Sequence, residues 1–209
     1  MTADRPRAPR RDATENREAL LEAARRILNE DPEASLDAIA AGAGLSRRAV
    51  YGHFPSRNTL VAELAERGAA RVAAAIERAT AEDPALDVAL LGRVVWDEVE
   101  HVRAMTSTIV HGPLRERIGA ALGPIHGRLV ADARRAGEQG GRTDLSPETV
   151  ARLIEGAAFT VLDESLRSPL SRRDGRRLVV LAGLGALGLS WREAGELLDR
   201  NAALLMEDR

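Results

Sequence analysis

Residues 35–64 read SLDAIAAGAGLSRRAVYGHFPSRNTLVAEL, and the fold turns on how that stretch is parsed. Ser35 stands before LDAIAAGAG, an apolar run at helical spacing, which is the place of an N-cap. Gly44 stops the run, Ser46 caps a third short helix and Pro55 ends it. Ser56 then caps a longer fourth helix reaching to about Ala81. Two short helices joined by a tight glycine-containing turn form a helix-turn-helix pattern. Ile39, Ala43, Leu45 and Val50 supply apolar contacts between them, Ala40 is small where they cross, and Gly44 is expected where a Cβ would clash.

Outward from this unit the helical pattern continues. Residues 1–12 are Arg/Pro-rich, include Arg5, Arg7, Arg10 and Arg11, and read as a disordered arm. Thr14 is the expected cap of a first helix over 15–29, with Leu20, Ala24, Ile27 and Leu28 on one face. After the break EDP (82–84), Val88, Leu91, Val95, Val99 and Val102 stripe a fifth helix, and a short helix is expected over 106–112. Residues 114–139 look helical, with Pro124 expected to kink or divide them. A loop, EQGGRTDLSP, ends in a cap at Ser146 with Pro147 in the first helical position. Further helices are expected at 147–167, 172–188 and 190–206. The prediction is an all-α chain of nine or ten helices: an arm (1–12), a three-helix helix-turn-helix unit (13–60) and a helical C-terminal domain (61–209).

Composition narrows the function. Of 209 residues 44% are hydrophobic and only 2% aromatic, so the core must be aliphatic. No cysteine is present, which removes disulfides, thiolate nucleophiles and Cys-ligated metal. The N-terminus lacks the apolar run of a signal peptide, and LVVLAGLGALGL (178–189) is too short to span a bilayer. A soluble cytoplasmic protein is expected. No HExxH, Gly-rich phosphate loop or Gly-x-Ser-x-Gly elbow appears, the four histidines are scattered, and no cofactor or enzymatic activity is expected.

The net charge of −2 does not advertise a polyanion binder, but its distribution does. Ala38 to Ala62 contain no Asp or Glu, although 32 acids in 209 residues would put about four in such a stretch. The same stretch holds Arg47, Arg48, His53 and Arg57, the chain's one Tyr and one of its two Phe. Ser46 opens the third helix, with Arg47 and Arg48 on its first turn. In such motifs this helix enters the major groove, where Arg can donate bidentately to guanine O6 and N7. Tyr51 and His53 can donate to phosphates, and Arg57 adds charge at the start of the fourth helix. The competing reading is a helical hairpin with a solvated basic face; Phe54 reads as core in either.

These residues resemble the tetracycline-repressor (TetR) family of bacterial transcriptional regulators: a Gly-hydrophobic-Ser turn, Tyr-x-His-Phe, then a basic residue opening the next helix. The resemblance covers residues 15–64. It implies a homodimer with one DNA-binding unit per subunit and a C-terminal domain for a small effector. Ser46, Arg47, Arg48, Tyr51, His53 and Arg57 become the expected contacts to double-stranded operator DNA. Ala49 departs from the hydroxyl residue common in the family, and Gly52 removes a side chain from the recognition helix.

In the C-terminal region Trp96, His101, Met105, His111 and Phe159 are the polar or aromatic candidates for an effector pocket, each with core packing as its alternative. Asp97 and His101 share a helical face. Residues 147–167 and 172–188 are expected to make the dimer, with Leu153, Phe159 and Leu162 on one helix. On the other, Ala182, Gly185 and Ala186 would allow close backbone approach, unless Gly183 and Gly185 face the subunit's own core and Gly188 merely ends the helix. The resulting expectation is a ligand-responsive, homodimeric repressor without a membrane segment or metal. Its alternatives are an effector-independent regulator, and a helical small-molecule binding protein or enzyme that does not bind DNA.

Overall fold

The computed structural model describes residues 9–112, 114–140 and 144–207, without the side chains of 9–12, 101, 108, 110, 115, 117, 118 and 121. Eleven α-helices and one 3-10 turn are present among the described residues, and no strand. The chain divides into two compact units, Met1–Glu66 and Arg67–Arg209; the division falls inside the fourth helix.

The first unit contains α1 (Pro9–Glu30), α2 (Leu36–Gly42), α3 (Arg47–His53) and the start of α4 (Arg57–Glu77). Thr14 is not the cap expected for α1, and Pro9 to Asp12 are helical rather than part of a disordered arm. Proline is tolerated in the first helical turn, and the Arg and Ala beyond it favour helix. Residues 1–8, with Arg5 and Arg7, lie outside the described residues. The core is aliphatic apart from Phe54: Leu20, Leu28, Ile39, Val50 and Leu60 are fully buried with it. Each such side chain contributes roughly 1.5–3 kcal/mol.

The second unit places α5 (Pro84–Val99) against α9 (Arg172–Ala186), α9 against α8 (Pro147–Arg167), α8 against α7 (Arg115–Glu138), and α7 back against α5. A 3-10 turn (Glu100–Val102) and α6 (Arg103–Val110) follow α5. The expected helix over 190–206 is two, α10 (Trp191–Arg200) and α11 (Ala202–Leu205), because the chain turns at Asn201. Pro124 does not divide α7, which is one helix of 24 residues around it. The total therefore exceeds the nine or ten expected. Ser146 caps α8 and Ser190 makes a capping box with Glu193 on α10.

Two buried ionic groups stand in this otherwise apolar unit. Arg128 of α7 donates to both carboxylate oxygens of Asp87 (2.7 and 2.5 Å) and to the carbonyls of Ile76 (2.9 Å) and Ala79 (2.5 Å), joining α5 and α7 to the end of α4. Beside it Asp132 is fully buried and accepts from Arg135, which also donates to Glu82 O at 2.9 Å. Burial, then a hydrogen bond and repulsion from Asp87, push the Asp132 carboxyl up to about 6 against the pull of Arg135. Burial works against ionisation of Asp87 too. There Arg128, the Ala81 N–H and Asp132 outweigh it and hold the group below the usual carboxylate range. The second group joins Arg176 (3% exposed) and Arg93 to Asp97, at 2.5 and 3.5 Å.

Candidate nucleic-acid interface

The turn between α2 and α3 is built from backbone hydrogen bonds. Leu45 N donates to Ala40 O (2.9 Å) and Gly44 N to Ala41 O (3.0 Å), a Schellman closure with Gly44 at φ +69°. A Cβ at Gly44 would meet nothing within 4 Å. The expected steric clash is therefore not the reason for glycine; the left-handed backbone is. Ser35 and Ser46 accept from the N–H groups of Ala38 (3.1 Å) and Ala49 (3.2 Å), so both serines cap as expected. Ser46 keeps its hydroxyl hydrogen for another partner.

Helix α3 has two faces. Val50 and the Phe54 that follows the helix are completely buried, while Arg47, Arg48, Tyr51 and Gly52 are exposed and His53 is half-buried. The Arg47 guanidinium lies 5.7 Å from the centroid of the Tyr51 ring, and its Nε is 3.4 Å from Asp37 Oδ1 on α2. Arg48 has no polar partner among the described residues. Their exposure is the geometry a groove-facing surface requires, and the buried side fixes its orientation.

The end of α3 is fastened by Arg17, a residue the sequence did not single out. Its guanidinium sits 4.3 Å from the Phe54 ring centroid, donates to His53 O at 3.0 Å and forms a two-pronged ion pair with Glu63. These partners lie 36 to 46 residues away, beyond any local pattern. Arg57 likewise has a job that spacing could not reveal. Its Nε donates to Ala34 O at 2.9 Å and its Nη2 to Pro32 O, tying the α1–α2 loop to the start of α4. Only its remaining N–H groups are left for a phosphate. Ser56 Oγ accepts from Thr59 N at 3.2 Å, the cap expected for α4.

The five effector candidates occupy different settings. Trp96 is buried (2% exposed) in the α5–α9 core, with its indole N–H unpaired and the Arg103 guanidinium 5.9 Å from its ring. Its ring lies so close to Gly175 that a Cβ there would sit 1.8 Å from Cζ2. Met105 is buried on α6, and Phe159 is half-buried on α8. His111 Nδ1 is 2.9 Å from Ser107 O, and its Nε2 is 3.4 Å from Asp163, which also accepts from Ser107 Oγ at 2.8 Å. The side chain of His101 lies outside the described residues. No polar or ring contact joins the other four among the described residues. Asp97 does not await a metal or ligand, since Arg176 and Arg93 hold it. No group of three metal-ligating side chains occurs among the described residues.

On the expected dimer helices Leu162 is buried in the subunit's own core and Leu153 is exposed. Gly183 faces Val88 and Ile154 inside the subunit, Gly185 is at the surface, and Gly188 closes α9.

Residues 20–64 match the profile described as "Bacterial regulatory proteins, tetR family". Over 84 residues the chain is 39% identical to the HTH-type transcriptional repressor LfrR of Mycolicibacterium smegmatis (strain ATCC 700084 / mc(2)155). That match covers 40% of this chain and 44% of LfrR, so the chain spans less than half of that relative. Among solved structures, the TetR-like regulator LfrR from Mycobacterium smegmatis in complex with proflavine aligns with a TM-score of 0.61 at 23% identity, over 86% of this chain and 98% of that one. The fatty acid degradation regulator FadR from Bacillus halodurans aligns at 0.70 and 16% identity, over 90% and 100%. At those identities the likeness is one of fold.

Proposed function

We propose that this chain, whose residues 20–64 match the profile of the bacterial regulatory proteins of the tetR family, is a cytoplasmic, homodimeric DNA-binding repressor released by a small-molecule effector. One observation carries the reading: α3 holds Arg47, Arg48 and Tyr51 in solvent, within a stretch free of acids, while Val50, Phe54 and Arg17 fix it from behind. In a dimer two such helices would enter successive major grooves about 34 Å apart. Exposed Leu153 and surface Gly185 support α8 and α9 as the dimer helices. Among the described residues no helix is long and apolar enough to cross a membrane.

The proflavine bound by LfrR supports the effector reading, with Trp96, His101, Met105, His111 and Phe159 as candidate contacts. Burial of Trp96 against Gly175 favours a second reading, a regulator that needs no effector. An electrophoretic shift on the DNA upstream of its own gene tests the DNA-binding reading. A retarded band that survives non-specific competitor and weakens steeply with salt is expected. Equal binding to every duplex at all salt concentrations would defeat it. Release of that band by an aromatic cation such as proflavine would favour the effector; a binding isotherm unchanged across a panel of such compounds would favour the second reading.

A further inference from the structure

A carboxylate on a surface meant for a polyanion costs affinity unless it serves a purpose. Asp37 is such a group: it belongs to the first turn of α2, adjoins the acid-free stretch, and its Oδ1 is 3.4 Å from Arg47 Nε. That oxygen is buried and accepts no hydrogen bond. Arg47 itself is three-quarters exposed and leans over the Tyr51 ring. Resting on the DNA-binding reading, we infer that Asp37 is a positioning residue for base recognition, orienting the Arg47 guanidinium so that its outer N–H fork reads guanine.

The chemistry follows from the shape of the guanidinium. Nε lies 3.4 Å from the carboxylate without a hydrogen bond to it, Cζ sits 5.7 Å from the Tyr51 ring centroid, and the two terminal nitrogens remain for a bidentate contact with guanine O6 and N7. A carboxylate on one side and a ring on the other bias the guanidinium toward this direction rather than lock it there. Exclusion of water at the DNA surface strengthens the Asp37 contact, which in the free protein is a weak, screened pair. Arg48, with no polar partner among the described residues, is the internal comparison.

Selection from a randomised duplex pool, followed by sequencing, tests the inference with four proteins: wild type, Arg47→Ala, Asp37→Asn and the double variant. The wild type should select guanine at one position of each half-site, and Arg47→Ala should lose that choice. Asp37→Asn should weaken the same choice by roughly 3- to 10-fold, part of the discrimination a good bidentate contact gives. Preferences elsewhere should persist, with affinity for random DNA unchanged or raised. The double variant should match Arg47→Ala at that position. Unaltered guanine preference in Asp37→Asn overturns the inference, as does a uniform loss at every position, which would mark a structural role. Retention of every preference by Arg47→Ala also overturns it. If the wild type selects nothing, the DNA-binding reading itself falls and takes this inference with it.

Discussion

On α3, Arg47 and Arg48 stand in solvent; on α5 and α9, Arg93 and Arg176 are buried, and on α7 Arg128 is mostly so. Every basic side chain of this protein except histidine is an arginine, so the two units use one chemistry in opposite ways. In the N-terminal unit the apolar core is nearly free of charge; Arg47 and Arg48 face outward, while Arg17 and Arg57 are half-buried ties between helices and loops. In the C-terminal unit charges are drawn inside and matched: Arg128 to Asp87, Arg135 to Asp132, Arg176 and Arg93 to Asp97. An exposed arginine keeps its N–H groups for a partner, whereas a buried one spends them on carboxylates and carbonyls. The N-terminal surface is therefore suited to recognition. The C-terminal networks specify how helices meet.

The sharpest way to break that contrast is to remove one buried cation. Arg128→Ala leaves the buried Asp87 without its cation and frees the carbonyls of Ile76 and Ala79. It should cost about 3–5 kcal/mol, the usual penalty for orphaning a buried charge. Both tryptophans, Trp96 and Trp191, lie in the C-terminal unit, so urea unfolding followed by tryptophan fluorescence reports this unit alone. A loss below about 1 kcal/mol, the size of an exposed pair, would show that these charges are effectively solvated.

Asp132 sharpens the comparison through pH. Its folded carboxyl titrates at about 6, above the ordinary value of 3.8, so the folded state holds a proton that the unfolded chain has released. Its stabilising contribution is full below about pH 4, declines as pH rises to 6 and is absent above. A shift of this size corresponds to about 2–3 kcal/mol. Asp87, held low, acts oppositely and only at more acid pH. Asp132→Asn keeps a donor beside Asp87 without the charge. It should be more stable than wild type at pH 7.5 and lose that advantage by pH 4.5, read as the difference between two urea curves. A difference that does not change with pH would show that Asp132 is ionised throughout.

Gly175→Ala probes the same unit without touching charge. The new methyl would enter the Trp96 ring, and overpacking of this kind costs about 1–3 kcal/mol. Tryptophan emission should shift as the ring is displaced. An unchanged spectrum with unchanged stability would mean that the α5–α9 contact is loose enough to host a ligand at Trp96.

What the sequence disclosed and what it hid divide along the range of the interactions. The caps at Ser35, Ser46, Ser56 and Ser146 and the turn at Gly44 depend on residues at most five apart, and all were legible. So was the burial of Phe54. Arg57, Arg17 and Trp96 were not, because Ala34, Glu63 and Gly175 reach them only through the fold. The division expected at Pro124 failed for a related reason: a proline's local cost of about 3 kcal/mol disfavours a helix interior, but the turns after it are anchored by Arg128, Leu129 and Ala133. Asp37 stood one residue outside the acid-free stretch that drew attention to α3, and its partner is ten residues on.

The smallest effect concerns the exposed side of the contrast. Gly52 lies in α3 at the surface, its backbone is not left-handed, and a Cβ there would meet nothing within 4 Å. Alanine should therefore stabilise the helix by about 0.5–1 kcal/mol, since glycine loses more conformational freedom on folding. Slower amide hydrogen exchange across α3, with the tryptophan signal of the other unit unaltered, would register the gain. Faster exchange would mean that α3 is held in a shape alanine cannot share. If protection rises while affinity for the selected duplex falls, the missing side chain serves close approach of the α3 backbone to DNA. The N-terminal unit would then give up local stability to keep its surface open, the reverse of what Arg128 and Asp87 do inside the C-terminal one.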